Sequence, residues 1–177
     1  LTDVINGDFT YKDLYTESIW QTLFLICPVV STTFASLGKL FNGMGENSIG
    51  WLLIDEAGQA TPQSPVGGLF RSKRAVFVGD PLQVQPVVQV EAKLSDVLLK
   101  KNNVSHLWNS CSFSAQQVAD RNNMYGTTFG YGESSIWVGS PLRVHRRCYE
   151  PMFSIANRIA YNNSMIFGKK EKTVITK

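Results

Sequence analysis

The stretch Trp51-Leu-Leu-Ile-Asp-Glu-Ala-Gly58 carries an apolar run straight into two adjacent carboxylates. Other segments repeat the pattern. Ala75 to Val78 ends at Gly79-Asp80, Ile136 to Val138 ends at Gly139-Ser140-Pro141, and Phe24 to Ser31 ends in a Ser-Thr-Thr cluster. Continuous apolar runs this short suit strands buried on both faces, the habit of parallel sheets. Polar residues gather at their carboxyl ends, the edge where open α/β sheets bind ligands. Helix-compatible segments lie between them, at Pro62 to Phe70, Lys93 to Lys101, Ser114 to Asn122 and Glu150 to Tyr161. The last has Met152, Ile155, Ala156 and Ile159 at helical spacing, which predicts a core-facing stripe. Arg121 to Ser135, rich in Gly, Asn, Thr and Ser, reads as a loop, as does Gly43 to Gly50. The expected architecture is α/β, a mostly parallel sheet flanked by helices.

The chain has 177 residues, 44% hydrophobic and 18% charged, enough for one domain with its own core. No apolar run reaches the roughly 18 residues that a bilayer span needs. The opening Leu1-Thr-Asp-Val lacks the order of a secretory signal and an initiator methionine, so a fragment of a larger, cytoplasmic protein is the expectation. Cys27, Cys111 and Cys148 are odd in number and far apart, which suits idle thiols in a reducing compartment better than a disulfide framework or zinc site. A net charge of +3 does not by itself argue for nucleic acid.

At Asp55-Glu56 the pattern is that of a Walker B strand. Neighbouring side chains on a strand point to opposite faces, but where the strand ends the backbone turns and both can line one crevice. Asp55 would then hold Mg²⁺, which wants carboxylate oxygen and keeps several waters. Glu56 would orient or deprotonate the water that attacks a γ-phosphate. Gly58 leaves room for close backbone approach. The bland alternative, a strand ending in solvated acids, stays open on this stretch alone. A second run, Val76-Phe-Val-Gly-Asp-Pro-Leu-Gln83, leads into a glutamine whose amide can donate to a phosphate oxygen or hold the attacking water. Asp80 beside Pro81 is equally a turn former.

Taken together these residues resemble the superfamily 1 helicases, in particular the 5′-to-3′ branch that includes the nonsense-mediated-decay helicases. Asp55-Glu-Ala-Gly-Gln-Ala-Thr61 looks like their motif II, and Gly79-Asp-Pro-Leu-Gln-Val-Gln-Pro86 like motif III. Pro141-Leu-Arg-Val-His-Arg-Arg147, with Pro151-Met-Phe and Ile159-Ala-Tyr161 downstream, looks like motif IV and its helix. Val29-Val-Ser-Thr-Thr-Phe-Ala35 is similar to the Ser/Thr segment called motif Ic. The resemblance implies a partial RecA-like (P-loop NTPase) domain that uses ATP and Mg²⁺. It implies metal binding by Asp55 and catalysis by Glu56, with Gly79, Asp80 and Gln83 along the nucleotide and Gln83 sensing the γ-phosphate. Arg147 would reach that phosphate across the cleft, as a fixed guanidinium fork suits. Arg146 stands where many relatives have an aromatic residue, which leaves both Arg146 and Arg147 open for this contact, and His145, which replaces a common glutamine, receives no catalytic role. Arg143, Arg146 and Arg147 read alternatively as groups that cap or solvate a strand end.

No G-x-x-x-x-G-K-[ST] phosphate loop occurs in the sequence, since Lys39 after Gly38 is followed by Leu40. The expectation is therefore the middle of a motor. Residues 1–165 would be the later part of the first RecA-like domain, and 166–177, lysine-rich, the hinge or the start of the second. Such a chain should bind ATP poorly and turn none over, because the loop's amides and lysine supply most phosphate contacts. Strand edges left bare would favour self-association or recruitment of the first residues of the chain. Thr32 and Thr33, with Ser31, could hydrogen-bond phosphates of single-stranded DNA or RNA without reading sequence, or could cap a helix starting at Phe34. Lys39, Arg71, Lys73 and Arg74 add scattered charge. Phe34, Trp108, Tyr125 and Trp137 could stack on bases, though core packing is the expectation. Two other classes compete: a catalytically inactive RecA-like interaction module, and a GTPase or small-molecule kinase. The latter leaves Gly79 to Gln83 and Leu142 to Arg147 unexplained.

Overall fold

The computed structural model describes residues 12–129 and 135–169. Helix α1 (Lys12–Ile26) leads through an irregular stretch into α2 (Phe34–Leu40). The apolar run at 24–31 is thus not a strand, because Phe24 to Ile26 complete α1 and residues 27–33 have no regular structure. Pro28 supplies the reason, since it cannot donate to a helix and disfavours helical backbone at Cys27. The run's side chains divide accordingly. Phe24 and Val30 pack with Trp20 and Ile49 on the buried cluster Leu37, Phe41 and Met44, while Leu25 and Ile26 lie exposed. The Trp20 and Phe41 rings sit 4.9 Å apart, a tilted aromatic contact that ties α1 to the end of α2.

Strands β1 (Leu52–Ile54) and β2 (Ala75–Phe77) pair in parallel, Leu52 opposite Ala75 and Ile54 opposite Phe77. Helix α3 (Val66–Arg71) connects them, and Arg71 pins it to α2 by donating from Nε to the Phe41 carbonyl (3.2 Å). Ile54 is buried, but Leu53, on the opposite face, is 71% exposed. One face of the pair is therefore uncovered among the described residues, where burial on both faces was expected.

Beyond α4 (Ala92–Lys101) and α5 (Ala115–Arg121) come the antiparallel pair β3 (Thr127–Phe129) and β4 (Ile136–Val138). Strand β3 falls inside the segment expected to be a loop. Thr127-Thr128-Phe129 is β-branched and aromatic, and cross-strand pairing with β4 outweighs the surrounding turn signals. Residues 122–126 of that segment form no helix or strand, and 130–134 lie outside the described residues. A final parallel pair joins β5 (Val144–His145) to β6 (Ile166–Phe167), with α6 (Met152–Ala160) between them. The class is α/β, as expected of a partial RecA-like domain. The strands form three separate two-stranded ladders among the described residues, two of them parallel.

Helix α5 opens with a capping box: the Ser114 hydroxyl accepts from Gln117 N–H, and the Gln117 side chain accepts from Ser114 N–H. In α6 the anticipated stripe does not face the core. Met152, Ile155 and Ile159 are 63%, 50% and 80% exposed, and the buried residues are Phe153 and Asn157. Polar anchoring decides this orientation. The Asn157 amide donates to the Met165 carbonyl (3.0 Å) and accepts from Met165 N–H (2.9 Å), and Phe153 contacts the rings of His145 and Phe167. The three cysteines are free thiols. No helix among the described residues is long and apolar enough to cross a membrane. The first eleven residues and the tail lysines Lys170, Lys172 and Lys177 lie outside the described residues.

Candidate functional site

The β1–β2 ladder continues past its formal end. Val78 N–H donates to the Ile54 carbonyl (2.8 Å), and Ala57 N–H donates to the Val78 carbonyl (2.9 Å). The chain leaving β1 and the chain leaving β2 therefore cross in contact, with two glycines at the crossing. A Cβ on Gly58 would stand 2.7 Å from the Asp80 carbonyl oxygen, and one on Gly79 would stand 2.7 Å from Gly58 N and 2.9 Å from Ala57 N. Only hydrogen fits at either position. The two turns, Asp55 to Gln59 and Gly79 to Gln83, are thereby held against each other at one end of the strand pair.

Asp55 and Glu56 are both exposed. Glu56 has left-handed backbone (φ 52, ψ 38), which turns the chain sharply from β1 into the 3₁₀ turn Ala57–Gln59. Its N–H donates to Asp55 Oδ1 (3.0 Å), and its Oε2 accepts from the Gln59 amide (3.3 Å). Among the described residues Asp55 Oδ2 accepts no hydrogen bond, which leaves it able to take a cation. No group of three or more His, Cys, Asp or Glu side chains forms a metal cage among the described residues. That donor set suits magnesium, which takes one or two carboxylates and fills its shell with water and phosphate oxygen.

Asp80 is half-buried and fully engaged. Its Oδ1 accepts from Leu82 N–H (2.9 Å), and its Oδ2 accepts from the Gln83 amide (3.0 Å) and from the Tyr161 hydroxyl. It is thus the turn former that its place beside Pro81 suggested. The Tyr161 phenol is pushed up to about 12, first by burial and then by the Asp80 carboxylate.

Behind the crossing lies α5. Ala115 N–H donates to the Ala60 carbonyl (2.8 Å), and the Gln116 side chain approaches the Gly79 Cα. Gln116 and Asp120 are 7% and 3% exposed and hydrogen-bonded to each other (3.1 Å). Burial pushes the Asp120 carboxyl up, against the opposing pull of the Gly139 and Gln116 donors. A cavity of about 690 Å³ opens here, between the outer edge of β2 with its turn and residues around β4 and Tyr161.

The structure brings Asp55, Glu56, Gly79, Asp80 and Gln83 together. It does not join Arg147 to them. Among the described residues the Arg147 guanidinium makes no hydrogen bond or ion pair with these groups, and its carbonyl accepts from Lys169 Nζ (2.9 Å). Arg143 donates to the Ser164 carbonyl (2.7 Å), so it does brace a loop, and His145 Nε2 accepts from Cys148 N–H (2.9 Å), a structural role. Thr33 is the N-cap of α2, its hydroxyl accepting from Ser36 N–H, and Thr32 precedes it outside any strand. The four aromatics expected in the core are not buried. Phe34, Trp108, Tyr125 and Trp137 are 37%, 48%, 81% and 38% exposed. Sequence reasoning gave no separate role to Tyr161 or to the Gln116–Asp120 pair. Tyr161 pairs with a residue 81 positions away, which no local pattern announces.

Residues 12–91, a little under half of the chain, match the family model described as an AAA domain. Over this segment the chain is similar to nucleotide-binding domains of the helicase-like kind. It covers the Asp55 and Gln83 turns and stops short of Arg147 and Tyr161. No curated protein and no solved structure matches the chain.

Proposed function

We propose that this chain is part of an ATP-dependent superfamily 1 helicase, the wall of the motor that places metal, water and signal at the γ-phosphate. The observation that supports the reading is the glycine-lined crossing, which holds the carboxylate turn and the glutamine turn against each other. Asp55 takes the metal through its free oxygen. Bound magnesium would offset the negative charge that grows on the phosphate. Glu56 accepts the proton of the attacking water, and Gln59, which donates to Glu56 Oε2, fixes the orientation of that carboxylate. Gln83 reads the water or the γ-phosphate, and Arg147 swings in across the cleft when nucleotide is bound. Thr32 and Thr33 contact the backbone of single-stranded DNA or RNA, Thr33 retaining its hydroxyl proton while it caps α2. Residues 1–165 belong to the first motor domain, and 166–177 lead on from it.

The test is hydrolysis in a form of the motor that includes a Gly-Lys-Ser/Thr loop. Glu56→Gln should keep ATP binding and lower turnover by roughly 10² or more, and equal turnover would overturn the role of Glu56. The 177 residues alone should show no Glu56-dependent hydrolysis. The edge of β2 that pairs with no strand among the described residues and lines the cavity, together with Leu53 and Leu142 at 71% and 85% exposure, supports self-association of the isolated chain. A monodisperse monomer in solution scattering would count against that.

A further inference from the structure

Asp80 separates two jobs between its oxygens. Oδ1 closes the turn on Leu82 N–H, and Oδ2 collects the donors that arrive from outside the turn, the Gln83 amide and the Tyr161 hydroxyl. A carboxylate only accepts, so the face that Gln83 turns toward Asp80 is its NH₂ group. Its Oε1 is not part of that contact. Burial and Asp80 raise the pKa of the Tyr161 phenol, and the nearby Gln83 amide opposes them. Tyr161 comes from the end of α6, on the same segment as Arg147, and its half-buried ring lines the cavity beside β2.

We propose that Tyr161 is a positioning residue for Gln83, acting through Asp80. It holds the Asp80 carboxylate, Asp80 holds the amide nitrogen, and Gln83 meets the crevice with its carbonyl oxygen as a hydrogen-bond acceptor. In this arrangement Gln83 suits a water that donates to it. A phosphate oxygen, which only accepts, is served when the Tyr161–Asp80 contact lets go and the NH₂ group turns outward. The contact joins the β2 turn to the segment that carries Arg147, so release links the glutamine to movement of that segment. This inference rests on the reading of Gln83 as a nucleotide-sensing residue, whereas its geometry can be tested without nucleotide.

The experiment is nitrogen-15 NMR of the side-chain amides of this chain, as wild type, Tyr161→Phe and Asp80→Asn. In the wild type the Gln83 Nε2 protons should be shifted from the solvated-glutamine position and should exchange slowly. In Tyr161→Phe they should move to the solvated position and exchange at least about tenfold faster, with the backbone amides of β1 and β2 in place. Asp80→Asn should do the same. An unmoved Gln83 amide in Tyr161→Phe overturns the proposal. Alkaline absorbance titration gives a second check: the phenol that ionises near 12 should vanish in Tyr161→Phe and fall toward the ordinary value of about 10 in Asp80→Asn. A late phase that survives Tyr161→Phe also overturns it. Failure of the underlying reading looks different: Gln83→Ala would leave ATP turnover of the motor intact, while in the chain that keeps Gln83 its amide resonance still responded to Tyr161→Phe.

Discussion

Gly58→Ala tests whether the crossing of the two turns holds the site together. The added Cβ would meet the Asp80 carbonyl oxygen at 2.7 Å and its carbon at 3.3 Å, both backbone atoms that no rotamer change can move. Reaching ordinary contact requires the turns to part by about 0.7 Å. The nearest rung, Ala57 N–H to the Val78 carbonyl at 2.9 Å, lies beside that contact and takes the displacement. Overpacking of this kind costs about 1–3 kcal/mol, and a lost backbone hydrogen bond adds about 1 kcal/mol. The smaller entropy of the unfolded alanine chain returns about 0.5 kcal/mol. The expected loss is then about 1.5–3.5 kcal/mol, a large share of a typical total of about 5–15. Urea unfolding followed by tryptophan fluorescence measures it. Gly38→Ala serves as the control, because nothing lies within 4 Å of its Cβ and Gly38 sits inside α2. That variant should gain about 0.5–1 kcal/mol from helix propensity. A Gly58→Ala protein within about 0.5 kcal/mol of wild type would refute the reasoning, since that is the ordinary range of a surface change.

Asp120→Asn should stabilise the fold at neutral pH by about 1 kcal/mol, because the buried carboxylate pays for its charge and the amide does not. The folded carboxyl titrates above its unfolded value, so the native state holds its proton more tightly. Wild-type stability from this group is then present below the unfolded pKa and lost as pH rises through the folded one. The advantage of Asp120→Asn should therefore shrink in acid, and an advantage that grew there would contradict the assignment. Ser114→Ala removes half of the capping box on α5 and should cost about 1 kcal/mol, lowering Tm by about 2–4 °C in a chain of this size. An unchanged Tm would mean that the cap contributes nothing to holding α5 behind the crossing.

Most of the helices and both strands of the site could be read from the sequence, because their signals are local. Ser114 with Gln117 marks a helix start, and Leu52 to Ile54 and Ala75 to Phe77 are short apolar runs closed by turn residues. The run Phe24 to Ser31 misled because a strand and a helix end look alike over so few apolar residues, and Pro28 was the clue to weigh more heavily. The stripe on α6 misled for another reason. Periodicity finds the apolar face, but Asn157 binds Met165 at both ends of its amide, and that fixed which side turned inward. At the site the sequence supplied Asp55, Glu56, Asp80 and Gln83 as neighbours in kind. It could not supply Tyr161, whose contact with Asp80 depends on how distant segments fold back. Nor could it give the position of Arg147, whose proposed role belongs to a nucleotide-bound arrangement.

The left-handed backbone at Glu56 bears on how such a site survives mutation. A residue with a Cβ gives up roughly 1–2 kcal/mol in that conformation, and glycine gives up almost none. Random change combined with screening for a hardier fold would therefore favour glycine or asparagine at this position, and either would delete the carboxylate. A chain under no demand to work should lose Glu56 early. Glu56→Gly is therefore expected to relax the backbone while it removes the carboxylate, so that stability and any chemistry at this turn pull in opposite directions.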